Sequence, residues 1–479
     1  MIYDPGTAPG GAVRAGDILE TFRARLPLLP QLSRKLGKVP LNLDSPYWVE
    51  DRNFDLGSHL HPVVLPKPGD RRQFHSVLAR LHSHPIDLNR PPWHAYIIEG
   101  LGNIDGIPPG CFAILLKIHA SASASASQIF EALHDLTPVP GNFYPQRYST
   151  RKQNPGRLKM LGKTYINLYK RPSKFIKLLG HSLDAFRLPD EIRHRKIEKE
   201  EHDIREKTRF NREVSPQRVF GTLPISPSRI KAIRPAVPDC SVNAVALAAI
   251  SGAMRLYLSD KKELPENSLV AGVAIGMCVE NSPLEAGAPG VASMRISLRS
   301  DIEDPLTRLK IIHADALASA TYARALSAGL LADLAAFVPS SIAALGLRIA
   351  ATTGLATRKP AVHTVVTNAS APETPVYLCG ARGQLWMGAG CPLDGVGLFH
   401  SLHSYNGAVT ISFVCDRHMM PDPEFYARCL EQALCELEAA AAPERIAVHQ
   451  GKAEVKPIRA QNTRTLSTVG PSRPAAREA

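Results

Sequence analysis

The stretch that most constrains the fold is a short apolar run followed by a loop and an amphipathic segment. The apolar run covers residues 111–116, the loop begins Lys117-Ile118-His119-Ala120 and alternates Ala and Ser to Ser127, and the amphipathic segment begins near Gln128. This order predicts a strand, a loop and a helix, as in an α/β chain. Such junctions often carry catalytic residues. His119 is the only side chain in the loop that can exchange a proton near neutral pH.

Predicted strands and helices also follow one another along the rest of the chain. A strand at 94–99 is expected to pair with 111–118 as a hairpin, and prolines interrupt the helical pattern of 17–36. The remaining predicted helices are 72–84, 241–258, a helix after Pro305, and 423–441. The remaining predicted strands are 46–49, 63–70, 269–277, 292–298, 362–366, 375–379 and 409–416.

Bulk composition limits the class of protein. A chain of 479 residues with 44% hydrophobic composition can bury more than one core, so two domains are expected. No segment keeps the roughly 20 apolar residues of a membrane span, and the N-terminus has no signal-peptide pattern. Eight scattered cysteines without a Cys-x-x-Cys pair argue against zinc and disulfides, and favour buried thiols in the cytosol. A net charge of +13 favours an anionic partner: nucleic acid, phospholipid head groups or a phosphorylated cofactor.

Four ranges follow from the composition shifts. We expect an N-terminal lobe at 1–150, a basic helical connecting segment at 151–215, a C-terminal lobe at 216–440, and a disordered tail at 441–479. The basic segment is amphipathic, so it either lies on an anionic membrane surface or packs its apolar residues between the two lobes.

Motifs spread over most of the chain resemble those of the bacterial wax ester synthase/diacylglycerol acyltransferase family. The matching segments are 54–59, 65–70, 86–93, 98–101, Lys117-Ile118-His119, 368–372, 404–407 and 421–423. The resemblance implies a mixed-sheet α/β fold with two lobes, as in CoA-dependent acyltransferases, and a cleft between them. The family's first strand would be finishing at Met1-Ile2-Tyr3, so either a start codon lies upstream or the edge of the sheet is incomplete.

The resemblance also implies a reaction. Acyl-CoA would be the co-substrate, with no bound cofactor or metal, and diacylglycerol or a long-chain alcohol would accept the acyl group to give triacylglycerol or wax ester. In the family, the second His of a His-His-x-x-x-Asp-Gly motif removes the proton from the acceptor. The protein is expected in the cytoplasm, with peripheral contact to an anionic membrane or lipid-droplet surface.

The motif loop of this chain lacks the family's key side chains. Anchoring on Ser127 and on Lys117-Ile118-His119 places the first His at His119, the second at Ala120, the Asp at Ala124 and the Gly at Ser125. Shifting the register by one makes His119 the base and leaves Ser123 at the Asp position. His119 is therefore either a displaced base or a histidine packed at the end of a strand. Low or no activity is expected.

Other family positions are partly retained. Asn243 matches the family's Asn-Asp pair, with Ala244 in place of the acid, and it either bonds the neighbouring domain or caps the following helix. Asn368 and Pro372 are the ends of a turn that has lost its central Pro-Gly and should be looser. Ser404 and Tyr405 match a Ser-Tyr-x-Gly segment that faces the cleft in the family, or they belong to a plain hairpin.

Several alternatives are disfavoured by the sequence. Asp394-Gly395 reads as a turn rather than a displaced acid, and Cys379 and Cys391 read as buried thiols rather than nucleophiles. Phosphate-loop, dinucleotide-binding, nucleophile-elbow and His-Glu-x-x-His motifs are absent from the sequence. The aromatic residues form no stacking array, so nucleic-acid binding is not expected. Two hypotheses remain: an impaired acyltransferase, and a non-catalytic acyl-CoA or lipid-binding protein of the same fold.

Overall fold

The strands and helices of the protein come from a computed structural model that describes residues 1–37, 46–139, 206–276, 291–325, 354–358, 360–370 and 372–451. The strands are β1 (Ile2–Asp4), β2 (Arg34–Gly37), β3 (Tyr47–Glu50), β4 (Leu60–Val64), β5 (Trp93–Leu101), β6 (Cys111–Ile118), β7 (Arg218–Ile225), β8 (Val270–Gly276), β9 (Val291–Ser297), β10 (Thr364–Ser370), β11 (Tyr377–Leu378), β12 (Ala381–Leu385), β13 (Leu398–Tyr405) and β14 (Ala408–Asp416). The α-helices are α1 (Ala15–Arg25), α2 (Arg71–Ser83), α3 (Ala126–Leu133), α4 (Pro227–Ile233), α5 (Val242–Asp260), α6 (Pro305–Ala325), α7 (Leu355–Arg358) and α8 (Pro423–Gly451).

Two six-stranded sheets define two lobes. The sheet of the first lobe has the order β11-β12-β1-β6-β5-β4, and the sheet of the second lobe has the order β7-β14-β13-β10-β8-β9. Both sheets are mixed: β4 and β5 are parallel, the β5–β6 hairpin is antiparallel as predicted, and β10 runs parallel to β8 and β13. The mixed α/β class and the two-lobed organisation are confirmed.

Side chains of the first sheet alternate between two cores. Trp93 and Ile97 of β5 pack with Phe22 of α1 on one face, whereas Ile98 packs with Leu78 of α2 on the other. This alternation follows from the two-residue period of a strand. The α2 helix begins with a capping box, because the Asp70 carboxylate accepts the backbone N–H of Gln73 at 2.8 Å and the Gln73 side chain accepts that of Asp70 at 3.1 Å.

The core of the second lobe is built on α5. This helix is buried on nearly all sides between the sheet and α8. It is long and apolar enough to cross a membrane by length and composition, yet 72% of its most apolar window is buried inside the lobe. A core helix buried all round is expected to be apolar on all its faces.

Three boundaries differ from those predicted. The strand at Ile2–Asp4 is not at the edge of its sheet, because β12 pairs with it on one side and β6 on the other. Residues 377–385 lie in the predicted C-terminal lobe, yet they form β11 and β12 of the first sheet. The last helix continues to Gly451, so the predicted tail is helical up to that residue. Most of the basic connecting segment, 151–205, and the tail from 452 lie outside the described residues.

Strands β2, β7, β12 and β13 were not predicted from the sequence, and β2 replaces the end of the helical pattern that was predicted over 17–36. The β13 segment Leu398–Tyr405 has apolar residues at 398, 399, 402 and 405, so it lacks the two-residue alternation that indicates a strand. The pairing of β12 with β1 had no local signal, because it joins residues that are distant in sequence, such as Ile2 and Leu385.

Burial holds several histidines in the neutral form. Desolvation lowers their pKa from the ordinary value of 6.5 to about 3 for His75 and His400, and to about 4 for His82, His94, His134 and His403. The unfolded chain therefore takes up protons below pH 6.5 that the folded chain does not accept until much lower pH. Folding stability from these groups is fully present above pH 6.5 and is lost as the pH falls toward 4.

We expect urea unfolding to show this loss. The denaturation midpoint should fall clearly between about pH 7 and about pH 5, because unfolding is coupled to proton uptake over this window. His400→Gln should reduce the pH slope by removing one of the protons that is taken up. Equal midpoints at the two pH values would contradict the burial of these rings in the neutral form.

Candidate functional site

The motif loop lies at the predicted junction between strand and helix. His119 follows β6, and its backbone N–H donates to the carbonyl oxygen of Pro92 at 2.9 Å. Residues Ala120–Ser125 form a 3-10 turn that leads directly into α3. The predicted order of strand, loop and helix is therefore present in the fold.

The ring of His119 is bound to its own loop. Its Nδ1 atom accepts the backbone N–H of Ser121 at 3.2 Å and lies 2.9 Å from the Ser121 hydroxyl oxygen. Because a backbone N–H can only donate, Nδ1 is an acceptor, and the proton of the neutral ring is on Nε2. A histidine that acts as a base through Nε2 needs its proton on Nδ1 instead. This geometry fits a histidine that caps the first turn after the strand.

The motif positions at which this chain lacks the family's side chains come directly after His119. Ala120 is exposed at the start of the turn, and its methyl group cannot accept a proton. Ala124 and Ser125 lie in the 3-10 turn and Ser127 in the first turn of α3, while the side chains of residues 123–127 lie outside the described set. The assignment of His119, Ala120, Ala124, Ser125 and Ser127 to the motif stays a prediction.

Lys117, two residues before His119, has a structural role that the motif did not suggest. Its Nζ donates to the carbonyl oxygens of Leu81 at 2.8 Å, of His82 at 3.0 Å and also of His84. These carbonyls lie at the end of α2, where helical partners are lacking and a cation is favourable. Burial lowers the pKa of Lys117 to about 8. The side chain therefore joins β6 to the end of α2.

Two of the predicted site residues in the second lobe, Asn243 and Asn368, are hydrogen-bonded to each other. The Asn368 side-chain amide donates to Oδ1 of Asn243 at 3.0 Å, joining the end of β10 to the first turn of α5. The N-cap of α5 is Ser241, whose hydroxyl accepts the backbone N–H of Ala244, so Asn243 is not the capping residue. Its amide bonds within its own lobe rather than to the neighbouring one. Residues 368–370 belong to a strand, and residue 371 of the predicted loose turn lies outside the described residues.

Tyr405 and Ser404 stand at the end of β13. The Tyr405 hydroxyl is buried, accepts the backbone N–H of Val376 at 3.0 Å and donates to the carbonyl of Gly383 at 3.1 Å. The following residues, Asn406 and Gly407, have φ values of 49° and 76° and close the β13–β14 hairpin. Tyr405 thus links the second sheet to the β11–β12 strands of the first. Ser404 is half-buried.

The remaining candidates are Asp394, Cys379 and Cys391, and the structure treats them differently. Asp394 accepts the backbone N–H of Val214 at 2.9 Å, and Gly395 has a φ of 84°, as expected of a turn. Cys379 is half-buried, but Cys391 is exposed, so its assignment as a buried thiol was wrong. The cause is its place in an irregular segment after β12 that local sequence patterns did not locate. Within the described ranges, no three His, Cys, Asp or Glu side chains are grouped closely enough to hold a metal ion.

Two family models match the chain over most of its length. Residues 1–246 match the wax ester synthase/diacylglycerol acyltransferase catalytic domain, and residues 290–438 match the C-terminal domain of the same family. A Mycobacterium tuberculosis protein provisionally named diacylglycerol O-acyltransferase is 29% identical over 430 residues, covering 82% of this chain and 83% of the relative. A second M. tuberculosis protein with the same provisional name is 28% identical over 462 residues, covering 92% and 94%.

A solved structure shows the same fold. The wax ester synthase/diacylglycerol acyltransferase from Marinobacter aquaeolei VT8 has a TM-score of 0.62 at 24% identity and covers 92% of this chain and 93% of its own. The fold is that of the two-domain CoA-dependent acyltransferases. The chain belongs to the wax ester synthase/diacylglycerol acyltransferase family.

Proposed function

We propose that the protein is an acyl-CoA-dependent O-acyltransferase with diacylglycerol or a long-chain alcohol as acceptor, and that its catalysis is impaired. Family membership over both lobes supports the reaction class. Two observations support the impairment: in the register anchored on Ser127, Ala120 takes the position of the family's base, and in the other register the base would be His119, whose Nδ1 already accepts the Ser121 N–H. A shared fold does not ensure a shared activity, so the rate of acyl transfer depends on the side chains of the motif loop.

The atoms of the reaction balance without a cofactor. The acceptor oxygen attacks the thioester carbonyl, the carbon–sulfur bond breaks, and the acceptor proton ends on the CoA thiol. A positioned base that carries this proton is typically worth about 10²–10⁴-fold. Without such a base, the cleft can still bind both substrates and hold them near each other.

A second candidate is a binding protein that retains the cleft without turnover. The observation that favours it is the hydrogen bond from the Ser121 N–H to His119, which places the ring as a cap and its proton on Nε2. Acyl-CoA and the acceptor lipid would then be bound and not consumed.

A thiol-release assay separates the two candidates. Wild-type protein is incubated with palmitoyl-CoA and either diacylglycerol or hexadecanol, and free CoA is measured alongside acyl-CoA binding. For the impaired enzyme we expect slow CoA release that disappears in His119→Ala, with acyl-CoA binding retained. Saturable acyl-CoA binding with no CoA released would rule out the acyltransferase and support the binding protein. Turnover unchanged in His119→Ala would exclude this histidine as the base.

We also propose peripheral contact with an anionic lipid surface. The net charge of +13 supports electrostatic attraction, and Leu136 and Val139 are 71% and 73% exposed just before the basic segment. Sedimentation with vesicles that contain phosphatidylserine should show binding that weakens as salt is added. Equal binding to neutral phosphatidylcholine vesicles would contradict an electrostatic contact.

A further inference from the structure

A cavity lies between the two lobes, at the end of β6 that is opposite to the motif loop. Its wall includes residues 104–107 of the loop that precedes β6, whereas the motif loop follows Ile118 at the other end of the strand. The two ends of β6 are about 24 Å apart, at about 3.4 Å per residue. The cavity is therefore separate from the place where acyl transfer is proposed.

Both lobes contribute to the wall of this cavity. Arg71 in the first turn of α2 and His75 one turn later line it from the first lobe, and Thr222 and Pro224 of β7 line it from the second lobe. Residues four apart in a helix lie on the same face, so Arg71 and His75 face the cavity together. A ligand in the cavity would contact both lobes.

The size and the wall of the cavity limit what it can hold. It encloses about 140 Å³, and most of the wall is apolar, with Ile2, Phe74 and Leu385 among its residues. A cavity of this size with apolar walls holds a group about as large as benzene, which is far smaller than a long acyl chain. Asp105 and Gly106, which also line the cavity, are exposed, so it opens to solvent at the hairpin loop.

Arg71 supplies a positive charge at the wall. Its guanidinium donates to the carbonyl oxygen of Asp105 at 3.1 Å, and it forms no ion pair with another described residue. A guanidinium has five N–H donors in a planar fork that fits a carboxylate, and one hydrogen bond leaves most of these donors free. The side chain is half-buried, so water and salt screen its charge less than they screen an exposed charge.

Two further ionisable groups line the cavity, and neither cancels the charge of Arg71. The side chain of Asp105 is exposed, so its carboxylate is screened by water. His75 is neutral near pH 7, because burial lowers its pKa to about 3. Its Nε2 lies 3.2 Å from the Thr222 hydroxyl oxygen. The cavity therefore favours an anionic ligand over a cationic one.

We propose that this cavity binds a small apolar carboxylate, such as benzoate or hexanoate. The ring or the short alkyl chain lies against the apolar wall, and the carboxylate accepts hydrogen bonds from the free N–H groups of Arg71. Long-chain substrates do not fit a cavity of this size, so the inference does not depend on the proposed function. Because such a ligand binds only the folded chain, it stabilises the protein.

Equilibrium binding to the full chain at neutral pH tests the proposal, and it is measured by ligand-observed NMR. The probes are benzoate, its uncharged analogue benzyl alcohol, and acetate, which has the carboxylate without the apolar group. We expect benzoate to bind about tenfold more tightly than benzyl alcohol, because only benzoate pairs with the guanidinium. Acetate should show no saturable binding, and benzoate should raise the melting temperature.

Variants of the wall assign the binding to this cavity. Arg71→Gln should weaken benzoate binding about tenfold and leave benzyl alcohol binding unchanged. Arg72→Gln is the matched control, because Arg72 is the next residue of α2, is 81% exposed and pairs with Glu424. Ile107→Trp places a larger side chain in the cavity and should abolish the binding of both ligands. Arg71→Gln carries the test if the Trp variant does not fold.

Four outcomes would overturn the proposal. Benzyl alcohol binding as tight as benzoate binding in the wild type would overturn the preference for a carboxylate. Equal losses in Arg71→Gln and Arg72→Gln would overturn the role of Arg71. Benzoate binding unchanged in a folded Ile107→Trp variant would place the ligand outside this cavity. Absence of saturable benzoate binding by the wild type would overturn the site itself. None of these measurements uses acyl-CoA, so failure of the proposed acyl transfer is read out separately.

Discussion

Restoring the motif side chains should raise CoA release by about 10²–10⁴-fold. The variant carries Ala120→His, Ala124→Asp and Ser125→Gly, which recreates the family's loop in the register anchored on His119 and Ser127. An imidazole at position 120 can accept the acceptor's proton, and the position is exposed at the start of the turn, so a larger side chain has room. The measurement is initial CoA release with palmitoyl-CoA and diacylglycerol, compared with the wild type.

The control for this gain carries Gln at position 120 and the same changes at 124 and 125. Glutamine is polar and of similar length, but it is not a base at neutral pH. A gain in the His variant alone would assign the effect to proton transfer. No gain in either variant would mean that other departures also prevent the reaction. Ala244 is one such departure, since it is fully buried and an acid there would be costly.

Asp135→Ala should destabilise the first lobe by about 3–5 kcal/mol. Nη2 of Arg25 donates to the Asp135 carboxylate at 2.5 Å, and the two side chains are only 3% and 7% exposed. The Arg25 guanidinium also bonds the Ala132 carbonyl, so the pair joins α1 to the end of α3. Removing the carboxylate deletes this buried ion pair and its hydrogen bond. The measurement is the free energy of unfolding in guanidinium chloride.

An exposed pair in the same helix provides the control. Arg23 and Glu20 of α1 form an ion pair whose side chains are 57% and 67% exposed. Glu20→Ala should change the unfolding free energy by no more than about 0.5 kcal/mol, because exposed pairs are screened by water. Equal effects of Asp135→Ala and Glu20→Ala on the free energy of unfolding would show that burial does not increase the contribution of the Arg25–Asp135 pair to stability.

Local features of the fold were predictable from the sequence. The β5–β6 hairpin, α2 and its stop before Pro85, and the helix near Ser241 all follow from the spacing of apolar residues and from capping groups. The position of the motif loop was predictable as well, because it lies between a buried strand and an amphipathic helix. These signals are contained in short stretches of chain.

The contacts that complete the site were not predictable in the same way. Lys117 binds the end of α2, Tyr405 binds the backbone at Val376 and Gly383, and Asn368 binds Asn243. Each contact depends on the packing of elements that are distant in sequence. The state of His119 depends on a hydrogen bond to Ser121, two residues away, whose direction a sequence pattern does not specify.

The pairing of β12 with β1 also constrains how the protein is made. During synthesis from the N-terminus, β1 and β6 leave the ribosome early, but one edge of β1 has no partner until Leu385 has been translated. Such long-range pairing slows folding and leaves an exposed strand edge in the nascent chain. The first sheet is therefore finished only after β7 to β10 of the second lobe have been translated, so the folding of the two lobes is expected to overlap in time.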